Sequence, residues 1–90
     1  MIKRFGIRFY GRVQGVGFRY TAYHTAQSLG LSGWVENEFD GTVLCEVQGE
    51  RAAIDEFLGR MNNARYIIID DMDIKELPLD DHERRFDIRG

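Results

Sequence analysis

The sequence predicts an α+β fold in which two helices cover one face of a mostly antiparallel sheet. Several segments alternate apolar and polar residues, which is typical of strands with one buried face, and two other segments space their apolar residues as helices do. Their order along the chain is β-α-β-β-α-β, followed by a last short strand. This is the order of the ferredoxin-like split βαβ motif, in which each helix crosses over the sheet.

The first strand and the first helix are predicted from the spacing of apolar residues. Over residues 4–10 the strand pattern places apolar side chains on one face, at Phe5, Ile7 and Phe9. Residues 18–29 carry small and apolar side chains at helical spacing, at Phe18, Ala22, Ala26 and Leu29. Gly30 then ends this helix, because glycine readily adopts the left-handed conformation of a helix cap.

The next two strands form a predicted hairpin over residues 31–38 and 42–48. The Asp40-Gly41 pair between them suits the positive φ that a hairpin turn requires. If the first strand runs upward, the first helix returns downward and the second strand runs upward again. The residues near 11–19 and near 37–41 are therefore expected to lie at the same end of the sheet.

The remaining elements are a second helix and two strands. The helix is predicted over Arg51–Asn62, where apolar residues recur at Ile54, Phe57, Leu58 and Met61. The run Tyr-Ile-Ile-Ile at residues 66–69 predicts the start of the fourth strand, because aromatic and β-branched residues favour strands. Phe86–Arg89 is predicted as the last short strand, after an acidic loop that contains the only proline, Pro78.

Residues 11–19 connect the first strand to the first helix and read Gly-Arg-Val-Gln-Gly-Val-Gly-Phe-Arg. The glycines Gly11, Gly15 and Gly17 allow a tight backbone in which successive N–H groups point into one concavity, and such a concavity binds anions. The helix N-terminus favours negative charge at the same place. Arg19 adds a planar fork of donors suited to phosphate oxygens. A glycine-rich connection also occurs for chain geometry alone, and this one matches neither the Walker loop nor the dinucleotide-binding pattern.

Three stretches together resemble the acylphosphatase family: residues 11–19, Gly-Trp-Val-Glu-Asn at 33–37 and Asp-Gly-Thr-Val at 40–43. The resemblance extends over nearly the whole chain. It implies a hydrolase that cleaves the carboxyl-phosphate bond of acyl phosphates without a metal or cofactor. It also implies that Arg19 binds the phosphate oxygens and that Asn37 orients the attacking water. The backbone N–H groups that would hold the phosphate belong to Gln14, Gly15, Val16, Gly17, Phe18 and Arg19.

The chain departs from that family between residues 61 and 65. It reads Met-Asn-Asn-Ala-Arg where the family usually has a Gly-Pro pair, so the connection to the fourth strand and the register of that strand stay open. Glu36 precedes Asn37 and is expected to face the opposite side of the sheet, because side chains alternate along a strand. A carboxylate so near would still weaken phosphate binding if it turned toward the site.

Length, charge and cysteine content indicate the class of protein and its surroundings. The 90 residues, 43% of them hydrophobic, suffice for one domain over residues 1–90 with a single core. The net charge of −3 argues against nucleic acid or an anionic membrane as partner. A single cysteine, an N-terminus without an unbroken apolar run and the lack of a membrane-spanning segment indicate a reduced, cytoplasmic protein. We expect a monomer for which phosphate or sulfate competes with the substrate.

Other residues allow a functional interpretation that we consider weaker. Cys45 and Arg51 have the spacing of cysteine-dependent phosphatases, but Cys45 shares the strand face of Val43 and Val47 and is expected in the core. His24 and His82 are expected on the solvated surface. The acidic residues after the second helix lack calcium-loop spacing and are expected to form a solvated face. Trp34 is expected to be a packing anchor.

Two other function classes share features with this sequence. RNA-recognition domains have the same element order, but they stack bases on aromatic residues of the central strands, and residues 42–48 contain none. A phosphate-binding or regulatory module without turnover would use the same residues as the enzyme, so the sequence leaves this alternative open.

Overall fold

The computed structural model describes residues 1–90 as one five-stranded sheet with two helices. The elements are β1 (Ile2–Arg12), α1 (Phe18–Ser28), β2 (Ser32–Asn37), β3 (Val43–Glu50), α2 (Arg51–Asn62), β4 (Ile68–Leu77) and β5 (Phe86–Arg89). The strand order in the sheet is β4-β1-β3-β2-β5, and every pair is antiparallel except β2 with β5. The predicted α+β ferredoxin-like fold is confirmed.

The core lies between the sheet and the two helices, as the apolar periodicity predicts. Seventeen buried apolar residues form one cluster. The inner face of β1 contributes Phe5, Ile7 and Phe9, and β3 contributes Val43, Cys45 and Val47. The helices contribute Phe18, Ala22, Ala26, Ile54, Phe57 and Met61. Burying one large apolar side chain is worth about 1.5–3 kcal/mol, so this cluster is the main source of stability.

Gly11 belongs to β1 rather than to the loop that follows, which corrects the prediction that it shapes the anion-binding concavity. The β1–β4 register shifts between Tyr10 and Gly11, where Gly11 has a φ of 128°. A Cβ at this position would overlap the backbone carbonyl of Ile68. The glycine is therefore required by a bulge against β4, and only Gly15 and Gly17 shape the loop.

The fourth strand begins two residues later than the sequence predicts. Tyr66 lies in a turn closed by the N–H of Ile67, which donates to the carbonyl oxygen of Ala64 at 3.4 Å. Tyr66 has a φ of 72°, in the left-handed region that non-glycine residues seldom adopt. The predicted strand start at Tyr66 is wrong because the turn imposes this conformation on a residue that by propensity favours a strand.

The outer face of the sheet buries one charged residue that the alternation pattern places toward solvent. Arg4 is only 4% exposed. Its guanidinium contacts the carboxylates of Glu46 at 2.8 Å and Glu83 at 2.7 Å and donates to the side-chain oxygen of Gln48 at 3.2 Å. Glu83 belongs to the connection between β4 and β5, which folds over this part of the sheet. No helix is both long and apolar enough to cross a membrane.

Candidate active site

The loop between β1 and α1 has two glycines in the left-handed region, Gly15 with φ 72° and Gly17 with φ 78°. A Cβ on either glycine would meet open space, so their role is the backbone conformation and not close packing. Gly17 precedes the first helical residue. The N-terminus of α1 has no side-chain cap and no acidic residue in its first turn. The first N–H groups of the helix therefore have no side-chain acceptor.

A cavity of about 100 Å³ lies between this loop and the end of β2. Its lining consists of Val13, Gly15, Gly17, Phe18, Arg19, Tyr20 and Asn37. Arg19 and Asn37 therefore meet in one cavity, together with three of the loop residues that the sequence analysis singled out. Gln14 and Val16 are not part of this lining.

Asn37 ends β2 and points to the same face of the sheet as Val35, because side chains alternate along the strand. Its Oδ1 atom is buried and has no hydrogen-bond partner in the protein. Buried polar atoms without a partner are rare in folded proteins. This oxygen is an acceptor at the wall of the cavity. Glu36, the residue before it, does not line the cavity.

Arg19 lies in the first turn of α1 and is partly buried. Its Nη1 donates to the backbone oxygen of Gly90 at 2.7 Å. No Asp or Glu side chain lies within ion-pair distance of the guanidinium, in contrast to Arg4 on the outer face. The side chain is therefore held at one nitrogen, while its charge is not neutralised by an acidic residue.

The turn between β2 and β3 is tied to the loop by Gln14. The side-chain amide of Gln14 donates to the carbonyl oxygens of Glu38 at 2.8 Å and Thr42 at 2.9 Å. This contact fixes the position of the β2 end, where Asn37 lies, relative to the glycine loop. The sequence predicts a role only for the backbone N–H of Gln14 and gives no signal for this role of the side chain.

Within the same turn, Thr42 and Asp40 form a local network. The Thr42 hydroxyl donates to Asp40 Oδ1 at 2.6 Å and accepts from Arg8 Nη1 at 2.8 Å, and the Thr42 N–H donates to the same carboxylate at 3.0 Å. The hydroxyl and the N–H of Thr42 together lower the pKa of the Asp40 carboxyl. An Asp side chain that accepts from the backbone N–H two residues later is typical of turns. The Asp-Gly-Thr order of residues 40–42 could therefore have predicted this network.

The carboxyl groups of Glu36 and Glu38 interact beside the site. The pKa of the Glu38 carboxyl lies above its ordinary value, mainly because its protonated form donates a hydrogen bond to the Glu36 carboxylate. Glu38 Oε1 is also 3.9 Å from Arg8 Nη1. Neither carboxyl belongs to the lining of the cavity. The charge of this pair of carboxyl groups is thus partly compensated next to the cavity.

The weaker candidates lie where the sequence analysis expects them, with one exception. Cys45 is fully buried, and this burial raises the pKa of its thiol, so it is not a nucleophile. His24 and His82 are exposed. The exception is Trp34, which is expected to be a packing anchor but does not belong to the core. Its strand position faces outward, and the guanidinium of Arg89 lies 4.4 Å from the centre of its ring.

Comparison with known proteins gives a consistent result. The family model described as Acylphosphatase matches residues 5–88. Among curated relatives, an acylphosphatase of Oceanobacillus iheyensis is 41% identical over 81 residues and covers 88% of this chain and 89% of its own. One of Clostridium acetobutylicum is 39% identical over 89 residues and covers 98% of both. The crystal structure of acylphosphatase from Bacillus subtilis superposes with a TM-score of 0.90 at 33% identity over the full length of both chains.

The fold and the cavity define a small α+β protein with a cavity between its glycine loop and the end of β2, and these comparisons show that the chain belongs to the acylphosphatase family. The protein is an enzyme that hydrolyses acyl phosphates. A similar unit also occurs within a longer protein. The structure of full-length HypF in a phosphate- and nucleotide-bound form matches all of this chain with a TM-score of 0.89, and the match covers 12% of HypF.

Proposed function

We propose that the cavity between the glycine loop and the end of β2 is the active site, where Arg19 binds the phosphoryl group and Asn37 orients the attacking water. The observation that carries this proposal is the unpartnered, buried Oδ1 of Asn37, which lines the same cavity as Arg19. A water molecule that donates to this oxygen would satisfy the atom. An amide suits the task because it accepts from water without a change of charge.

The phosphate is held by backbone N–H groups in this proposal. The residues that supply them are Gln14, Gly15, Val16, Gly17, Phe18 and Arg19. The left-handed φ angles of Gly15 and Gly17 and the uncapped N-terminus of α1 support this assignment. The guanidinium of Arg19, which forms no ion pair with an Asp or Glu side chain, supplies the permanent positive charge.

The reaction needs only water and the bound acyl phosphate. The water oxygen forms a bond to phosphorus while the bond between phosphorus and the acyl oxygen breaks. The carboxylate leaves with the electron pair of that bond, and the two protons of the water stay with the phosphate. A carboxylate is a good leaving group that needs no acid, so positioning and charge stabilisation carry the catalysis. The proposed donors are amides and a guanidinium, and hydrolysis is expected to require no metal.

The remaining expectations follow from this assignment. Arg19 and Asn37 come from the same chain, which supports a monomer as the active unit and residues 1–90 as one catalytic domain. Phosphate or sulfate competes with the substrate because either anion fits the same donors. The reduced Cys45 supports a cytoplasmic location.

Phosphate binding to the loop is tested by hydrogen exchange with inorganic phosphate and by its competition with benzoyl phosphate. Phosphate should protect the N–H groups of residues 14–19. Gly15→Ala should weaken phosphate binding, because alanine disfavours the left-handed φ of this position. Gly59→Ala is the matched control, since a Cβ on this helical glycine also meets open space and its φ is not positive. Protection that appears only outside the loop would contradict the proposal.

A further inference from the structure

A second cavity, of about 460 Å³, lies on the other side of the glycine loop. It is lined by Arg12, Gly15, Val16, Gly17 and Tyr66. Gly15 and Gly17 also line the proposed active site, so the two cavities meet at the same two residues. A substrate whose phosphate is held by the loop therefore has space for its acyl group in this second cavity.

Arg12 supplies a positive charge to the second cavity. The residue is exposed, and its guanidinium forms no hydrogen bond or ion pair with the protein. Five other arginines are paired with carboxylates: Arg4, Arg8, Arg51, Arg60 and Arg85. The acidic residues Asp70 and Asp71 on the adjacent β4 form no ion pair with Arg12, although Arg12 is paired in register with the nearby Ile68. This guanidinium is thus available to an anionic ligand.

Tyr66 forms the opposite wall of the second cavity. Its φ of 72° occurs at the third position of the turn from Ala64 to Ile67, where glycine would be unstrained. The side chain is nevertheless a large ring, 71% exposed, and the guanidinium of Arg65 lies 5.6 Å from the ring centre. Neither burial nor a hydrogen bond explains a tyrosine here. Strained residues of this kind are concentrated at functional sites.

We propose that Arg12 and Tyr66 bind the acyl group of the substrate and that Arg12 favours acyl groups that end in a second carboxylate. The ring of Tyr66 contacts the carbon chain, and the guanidinium of Arg12 receives the terminal carboxylate, with Arg65 adding positive charge nearby. This inference rests on the proposed active site, because it requires the phosphate to lie at the glycine loop.

The test compares succinyl phosphate, whose acyl group ends in a carboxylate, with butyryl phosphate, which has the same number of carbon atoms and no second charge. The ratio of the two kcat/KM values is measured for the natural protein and for Arg12→Gln. We expect the substitution to lower this ratio by about twofold to fivefold, within the range of an exposed charge pair. Arg12→Lys should retain part of the preference, and the preference should decline with added salt.

Arg84→Gln is the matched control. Arg84 is also exposed and without an ion pair, but it precedes Phe86, which pairs with Gly33 at the opposite end of the sheet from Asn37. Its substitution should leave the ratio unchanged. An equal effect of Arg12→Gln on both substrates, or no effect on either, would overturn the acyl-group site while the proposed active site stands.

A binding experiment separates this inference from the proposed catalytic site. Succinyl phosphonate and butyryl phosphonate resemble the substrates but cannot be hydrolysed at the carbon–phosphorus bond, so their calorimetric affinities do not depend on turnover. Weaker binding of succinyl phosphonate alone in Arg12→Gln supports the acyl-group site even if the catalytic roles of Arg19 and Asn37 fail. If the natural protein binds both phosphonates equally, Arg12 does not select a second carboxylate.

Discussion

Arg4 on the outer face of the sheet is buried and Arg19 at the glycine loop is partly buried, and the partners of the two guanidinium groups differ. Arg4 contacts two carboxylates and the amide oxygen of Gln48. Arg19 donates to a single backbone oxygen and forms no ion pair with an Asp or Glu side chain. Near Arg19, the buried Oδ1 of Asn37 also lacks a partner. Polar groups with complete sets of partners hold the fold together, whereas incomplete sets indicate where a ligand binds.

The two regions should therefore respond differently to substitution. Removing Arg4 leaves the charges of Glu46 and Glu83 without their partner and destabilises the fold. Removing Arg19 or Asn37 takes away few contacts within the protein. Such a substitution should therefore lower the activity and leave the stability of the fold nearly unchanged.

Substitution of Arg19 should have the largest effect. Arg19→Ala is expected to lower kcat/KM for benzoyl phosphate by about 10³- to 10⁵-fold, by analogy with arginines that stabilise phosphoryl transfer. Arg19→Lys keeps the charge but loses the planar fork, so it should raise KM and lower kcat together. Arg84→Ala is the control and should have no effect. Near-normal activity of Arg19→Ala with an intact circular dichroism spectrum would show that Arg19 does not bind the phosphoryl group.

Asn37→Ala should affect the chemical step alone. The side chain is expected to contact the water, which matters most during attack, so kcat should decrease by about 10²- to 10³-fold while KM changes little. Asn62→Ala, at an exposed position near the end of α2, is the matched control. Steady-state kinetics on benzoyl phosphate separates the two constants. An increase in KM without loss of kcat would mean that Asn37 binds the substrate and does not orient water.

Arg4→Met should lower stability and leave the activity of the folded protein unchanged. Loss of one partner from a buried ion pair costs about 3–5 kcal/mol, and we expect about 2–3 kcal/mol here because Glu46 is 30% exposed. Urea denaturation measures the free energy of unfolding. Lys3→Met is the control, since its pair with Glu76 is solvent-exposed and should contribute less than about 1 kcal/mol. Equal losses in both variants would contradict the structural role of Arg4.

The fold could be predicted because the spacing of apolar residues indicates each helix and strand, and the order of these elements indicates how they are arranged. The alternation on β1 and β3 and the helical spacing on α1 and α2 indicate the elements, and the split βαβ order places the end of β2 beside the glycine loop. The same order brings Arg19 and Asn37 to one cavity, as the structure shows. The catalytic roles of these two residues came from the family resemblance and stay predictions.

The features that escaped prediction depend on contacts between distant segments. The alternation pattern places Arg4 outward, and nothing local shows that the connection containing Glu83 covers it. Gly11 resembles a loop glycine in sequence but serves a bulge against β4. Single-sequence patterns do not contain the long-range information that decides Arg4 and Gly11. Tyr66 is a local exception, because it has the propensity of a strand residue but the hydrogen bond between Ile67 and Ala64 places it in a turn.

The smallest expected effect is that of metal removal. The proposed site binds phosphate through amides and a guanidinium, and no group of three or more His, Cys, Asp or Glu residues is arranged to hold a metal ion. Hydrolysis of benzoyl phosphate should therefore proceed at an unchanged rate in excess EDTA, because no cation is needed to neutralise the phosphoryl oxygens that Arg19 contacts. The rate before and after chelation, and again after added magnesium, provides the measurement. Activity that disappears with EDTA and returns only with magnesium would show that Arg19 and the helix N-terminus do not suffice to stabilise the charge on the phosphoryl group.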